Sequence, residues 1–140
     1  MIVSLIRIVL GFVAAMLVAG AVQVLFVAGD EIVSGSVTSA RLEALGLLTL
    51  LAATQSAVFS APFAFLAAAV AAWRPIKSSL FFIGVGVLIA LAGFLVQYVG
   101  EGSPSTILNR YAAAAYVASG LVGGWIYWLV AVPKARPETA

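Results

Sequence analysis

The chain has 140 residues, of which 64% are hydrophobic and 9% charged, with a net charge of +2; charged residues in soluble domains run near a quarter, so this composition describes one membrane domain. The seven basic residues stand singly between apolar runs, which excludes nucleic acid as a partner. With no cysteine and no histidine, disulfides, thiolate metal sites, iron–sulfur clusters, bis-histidine haem and the usual general base are all excluded.

Polar punctuation leaves four apolar runs near 6–28, 44–73, 78–99 and 110–132, each long enough to cross a hydrocarbon core, which needs about 20 residues. The predicted fold is all-α: an antiparallel up-down-up-down four-helix membrane bundle over 1–132, with a short disordered tail, 133–140. The first run imitates a signal peptide, with Arg7, an oily stretch and the small pair Ala19 and Ala21. It continues to Ala28, longer than a signal core, and is expected to stay as the first span.

Between the first two runs lies GDEIVSGSVTSARLE, with Ser39 as the expected N-cap of the second helix. That helix carries Pro62 in its interior, which frees the carbonyl of Val58 and bends the helix; Ser60 or a neighbouring helix is the expected partner for that carbonyl. The link WRPIKSS is so short that the second and third spans are expected to form a tight hairpin. The last link, GEGSPSTILNR, holds Pro104 and the capping candidates Ser105 and Thr106.

Arg7, Arg74, Lys77, Lys134 and Arg136 fall on one side, against Arg41 and Arg110 on the other; Asp30, Glu31, Glu43 and Glu101 accompany the second pair. The positive-inside rule then puts both termini in the cytoplasm, and Trp73, Trp125, Tyr127 and Trp128 form an aromatic belt beside the basic residues.

Three glutamines interrupt the oily runs. Gln23 lies 16 residues after Arg7, Gln55 lies 18 before Trp73 and Gln97 lies 20 after Lys77, which are depths of about 24, 27 and 30 Å and hence one layer towards the outer face. Gln23 shares a helical face with Met16, Ala19 and Gly20, and Gln97 shares one with Gly86, Ala90 and Gly93; such small-residue faces mark helix contacts. Gln55 has bulkier neighbours. The layer, with Tyr116 and extended by Tyr98 and Ser119, is either interhelical glue or a polar vestibule for a small solute.

Small residues recur every four positions as Gly11, Ala15, Ala19; Ala53, Ala57, Ala61; Gly86, Ala90; and Ala115, Ser119, Gly123. Gly11, Gly86, Gly93, Gly120 and Gly124 are the expected helix-packing positions. Gly120 and Gly124 form the sharpest dimerisation motif, although packing within the chain has first claim on it. AGAVQV and AGFLVQY echo each other, which a duplication of two hairpins or chance recurrence explains equally.

No acid lies within any span, so a proton-coupled relay has no carboxylate, and nothing resembles a phosphate loop, a metal cluster or a nucleophile with its base. Catalytic, cofactor and metal sites are therefore expected to be absent. Glu101 and Arg110 share the outer link, and an exposed pair there is ordinarily structural. An enzyme using those two on lipids is the least favoured reading, because no base, metal ligand or nucleophile accompanies them.

LLAATQSAVFSAPFAF, LAGFLVQYVGEG and NRYAAAAYVASGLVGGWIYWLVA resemble small uncharacterised four-span inner-membrane proteins of proteobacteria. The resemblance covers about half the chain and implies an inner-membrane location, without an activity or site residues. The expected function is a non-enzymatic accessory or assembly partner acting through helix contacts, with lipid, another membrane protein or a second copy as its partners. The rival is a small-solute channel or facilitator using Gln23, Gln55, Gln97 and Tyr116.

Overall fold

The computed structural model describes residues 2–74, 76–100 and 110–132, excluding the side chains of Tyr98 and Arg110. They form four helices, α1 (Ile2–Val33), α2 (Ser39–Trp73), α3 (Ser79–Gly100) and α4 (Arg110–Ala131), and no strand occurs among the described residues. Each helix is long and apolar enough to cross a membrane, as in a multi-pass membrane protein. The expected caps near Pro104, the Glu101–Arg110 pair and the tail 133–140 lie outside the described residues or side chains.

Two helix bounds differ from the sequence expectation. At 32 and 35 residues, α1 and α2 run about 48 and 52 Å, well beyond the ~30 Å of a hydrocarbon core. Asp30 and Glu31 are helical rather than loop, and Arg41 and Glu43 are helical ahead of the second apolar run, as a cap near Ser39 requires. Composition marks where an apolar run ends, whereas a helix continues until its backbone bonds are capped. The cap of α1 comes later, at Gly35, whose φ is +67°. There the N–H of Ser36 donates to the carbonyl of Glu31 and that of Gly35 to Ile32, each at 3.3 Å, which is a Schellman closure that favours glycine. The N-cap of α2 is Thr38, not Ser39: the Thr38 hydroxyl accepts from the N–H of Arg41 at 3.4 Å, leaving Ser39 as the first helical residue. The polar extensions are tied together by Arg41, whose Nε and Nη2 donate to the two carboxylate oxygens of Glu31 at 2.9 and 3.0 Å.

Adjacent helices run antiparallel. On α1, Gly11 meets Ala131 of α4 and Ala19 meets Gly123. On the other side of α1, the rings of Phe12 and Phe65 stack at 6.0 Å and Gly20 lies against Thr49 and Ala53. Gly86 of α3 faces Gly120 and Gly124 of α4, and Gly124 faces Phe82. The chain therefore folds up-down-up-down, with α1 on α2, α1 on α4 and α3 on α4 as its extensive interfaces.

The hairpin expected between spans two and three is not tight. Helices α2 and α3 are consecutive yet touch at few positions. A short link brings two helix ends together, but the axes beyond it follow the best packing partners. For α3 that partner is the glycine face of α4, and for α2 it is α1. The link is itself held to α4, where Trp128 Nε1 donates to the carbonyl of Lys77 at 2.8 Å.

Candidate functional site

The incomplete α2–α3 closure leaves a cavity of about 270 Å³ along the inside of the bundle. Its floor is the α1–α4 interface, where Ala15, Ala19, Ser119 and Gly123 lie on the lining. Those residues are small because the two backbones approach closely, and the same absence of side-chain volume leaves room above them. One wall is a stripe of α2 at helical spacing, Ala52, Ser56, Ser60, Ala64 and Ala67; the other is the α3 face holding Val85, Gly86, Ile89, Ala90 and Gly93. Gln55 and Val96 line the cavity and are also exposed, which places its mouth between α2 and α3. Phe59 of α2 reaches across, with its ring carbons 3.5 Å from the Cβ position of Gly93.

All four residues of the expected polar layer line this cavity: Gln23, Gln55, Gln97 and Tyr116. They are not equally shielded. The Tyr116 hydroxyl donates to Oε1 of Gln97, and the Tyr116 ring lies 5.5 Å from that of Phe94; Gln97 is thus bound to a neighbouring helix as its small-residue face indicates. Gln23 is half-buried, and Gln55 is exposed. Neither Gln23 nor Gln55 makes a hydrogen bond to any described residue. Of the residues expected to extend the layer, Ser119 is buried and donates to the carbonyl of Tyr116 at 2.8 Å, while the side chain of Tyr98 is outside the described set.

Other hydroxyls are already engaged. Buried Ser60 points its hydroxyl at the sulfur of Met16, 3.1 Å away, rather than at the carbonyl that Pro62 frees. Thr49 and Thr54 donate to the carbonyls of Leu45 and Leu50 at 2.9 and 2.8 Å, the back-bonding that lets threonine sit within a helix. At the opposite end, Tyr127 turns inward. It lines the cavity, its ring 5.5 Å from that of Phe82, whereas Trp73 is largely exposed.

The five expected packing glycines all meet a neighbour. Those of α3 and α4 are consumed inside the chain: a Cβ on Gly120 would stand 2.6 Å from the carbonyl oxygen of Gly86 and 2.8 Å from Cβ of Ala90. The Gly120–Gly124 motif therefore serves the α3–α4 interface. Sequence reasoning missed Ser56, Phe59, Phe82 and Tyr127 as lining residues. The stripe Ala52, Ser56, Ser60, Ala64 was open to view, but the ridge beginning at Ala53 has the same spacing and contacts α1 instead.

None of the described lining residues carries a charged side chain. Among the described residues no group of His, Cys, Asp or Glu that would hold a metal ion occurs. Chemically, the arrangement offers an apolar trough with amide and phenol groups at one end. Compared with known proteins, the chain matches no family model, no curated protein and no solved structure.

Proposed function

We propose that this chain is a non-enzymatic integral protein of a bacterial inner membrane, with both termini in the cytoplasm, that acts as an accessory or assembly partner through helix contacts. The observation that carries the reading is an unused face of α3. Leu80, Gly84, Leu88, Leu91 and Leu95 follow one another at 4-4-3-4 spacing and are all exposed. Leucines there suit lipid as well as protein. The glycine suits only protein, because it costs helix stability relative to alanine and offers lipid no side chain. A Cβ on Gly84 would meet nothing within 4 Å, so the close approach that glycine permits is not used among the described residues. A partner's transmembrane helix fits that seam, since apolar positions at alternating spacings of 4 and 3 favour left-handed packing.

The test is affinity capture from native membranes in gentle detergent, comparing the natural chain with Gly84→Leu. A side chain at that site fills open space, so the bundle keeps its stability while the specific co-purifying protein, or the second copy, is lost. Recovery of the same set of proteins with both chains would sink the reading. A second reading, a small-solute facilitator, is favoured by the gathering of Gln23, Gln55, Gln97 and Tyr116 on one cavity. Replacing the three glutamines with leucine abolishes flux into proteoliposomes in a conduit, but leaves a helix-mediated complex intact.

A further inference from the structure

We propose that the cavity between α2 and α3 is a lateral binding site for an uncharged lipid with a hydroxyl head, its apolar tail lying along the trough and its head meeting the amides of Gln23 and Gln55. The proposal goes beyond the accessory reading and uses a different face of α3. Cavity residues Phe82, Val85, Gly86, Ile89 and Gly93 lie on the side opposite the Gly84 stripe.

Three observations converge on this ligand class. The first is access: the mouth runs sideways between Gln55 and Val96, both exposed, so a molecule already dissolved in the bilayer enters without crossing an interface. The second is polarity along the trough. Towards one end lie Phe12, Ala64, Ala67, Phe82, Gly124 and Tyr127; Ser60 and Ser119 stand between, their hydroxyls already engaged; towards the other end lie Gln23, Gln55, Ser56, Gln97 and Tyr116. That gradient fits a long apolar body with one polar head. The third is unmet hydrogen-bonding capacity. Gln97 is held by Tyr116, but Gln23 and Gln55 have no partner among the described residues.

Each amide presents a carbonyl acceptor and an NH₂ donor, and in a hydrocarbon setting an unpaired amide is costly. A hydroxyl offers both halves of that pairing, a donor for an amide carbonyl and an acceptor for an amide N–H. A phosphate or carboxylate is disfavoured, because none of the described lining residues is a cation that would offset the loss of its hydration. The site therefore selects alcohols, such as a fatty alcohol, a diacylglycerol or an isoprenoid alcohol, over anionic lipids.

The experiment uses the full chain in phosphatidylcholine nanodiscs with photoreactive hexadecanol, and photoreactive hexadecyl phosphate as its charged counterpart. Saturable labelling of peptides spanning 52–67 and 85–97 is expected with the alcohol, displaced by unlabelled hexadecanol. Removing both amides leaves the hydroxyl head without these partners, so Gln23→Leu with Gln55→Leu weakens apparent affinity about tenfold. Gln55→Leu alone weakens it in the same direction, and as an exposed mouth residue it leaves packing untouched. Labelling that rises linearly with probe, that spreads evenly over the exposed leucines, that is equal for the phosphate, or that is unchanged in the glutamine variants would each overturn the proposal. Gly84→Leu leaves the labelling unaltered, so the lipid site and the partner face fail separately.

Discussion

Helix α3 meets two neighbours in opposite ways. Against α4 its middle has no side-chain layer: Gly86, Gly120 and Gly124 bring backbone to backbone, with Gly124 against the carbonyl of Phe82, and the ring pairs Phe82–Tyr127 and Phe94–Tyr116 flank that contact. Against α2 it makes few contacts, and the gap is a cavity crossed by the ring of Phe59. Both surfaces of α3 are apolar and rich in small residues. What separates them is reciprocity, since close approach needs small residues on both partners at the same height. On α4 glycines stand opposite Gly86, whereas on α2 the Cβ position of Gly93 meets a phenylalanine.

The largest effect that tests this contrast is Gly86→Ala. Its Cβ would collide with the carbonyl oxygen of Gly120 and stand 3.1 Å from Cα of Gly124. Backbone cannot rotate aside as a side chain can, so overpacking at the upper end of its usual range is expected, a loss of about 3 kcal/mol. Denaturant-induced unfolding in detergent micelles measures it, and a loss near zero would show that α3 and α4 are not in backbone contact. Gly20→Ala, at the α1–α2 interface, is next. The added carbon falls 2.7 Å from the carbonyl oxygen of Thr49 and 3.0 Å from Cβ of Ala53, for an expected loss of about 2 kcal/mol. Tyr116→Phe removes the donor that binds Gln97 across α3 and α4; hydrogen bonds between membrane helices average about 0.6 kcal/mol and reach about 1.7. Since the bond joins a phenol and an amide that are both part-buried, a value in the upper half of that range is expected.

The four-helix fold was legible because apolar length alone dictates it: a run of twenty-odd oily residues has few alternatives to a membrane helix. Gly86, Gly120 and Gly124 were legible as packing positions for a similar reason, in that a glycine at helical spacing has few other uses. Helix ends were less so. The Schellman closure at Gly35 lies beyond Asp30 and Glu31, and those charges ended the apolar run before the helix ended. The polar layer was half legible. Depth counting put Gln23, Gln55 and Gln97 at one level, and all three line one cavity. The opening beside Gln55 could not be read, because it follows from a competition: α4 holds α3 more tightly than α2 does, and spacing within a single helix carries no trace of that balance.

The opposite pole of the comparison is Gly93→Ala. Its Cβ would lie 3.5 Å from the Phe59 ring and 3.9 Å from that of Tyr116, both ordinary contact distances, so nothing has to move. Alanine also loses less conformational freedom than glycine within a helix, a gain of about 0.5 to 1 kcal/mol. The expected outcome is unchanged or slightly raised stability in the same denaturant titration, with a sign opposite to that of Gly86→Ala seven residues earlier on the same helix. Were Gly93→Ala instead as damaging as Gly86→Ala, α2 and α3 would have to be closed against each other in the membrane, and a lateral site between them would have no mouth.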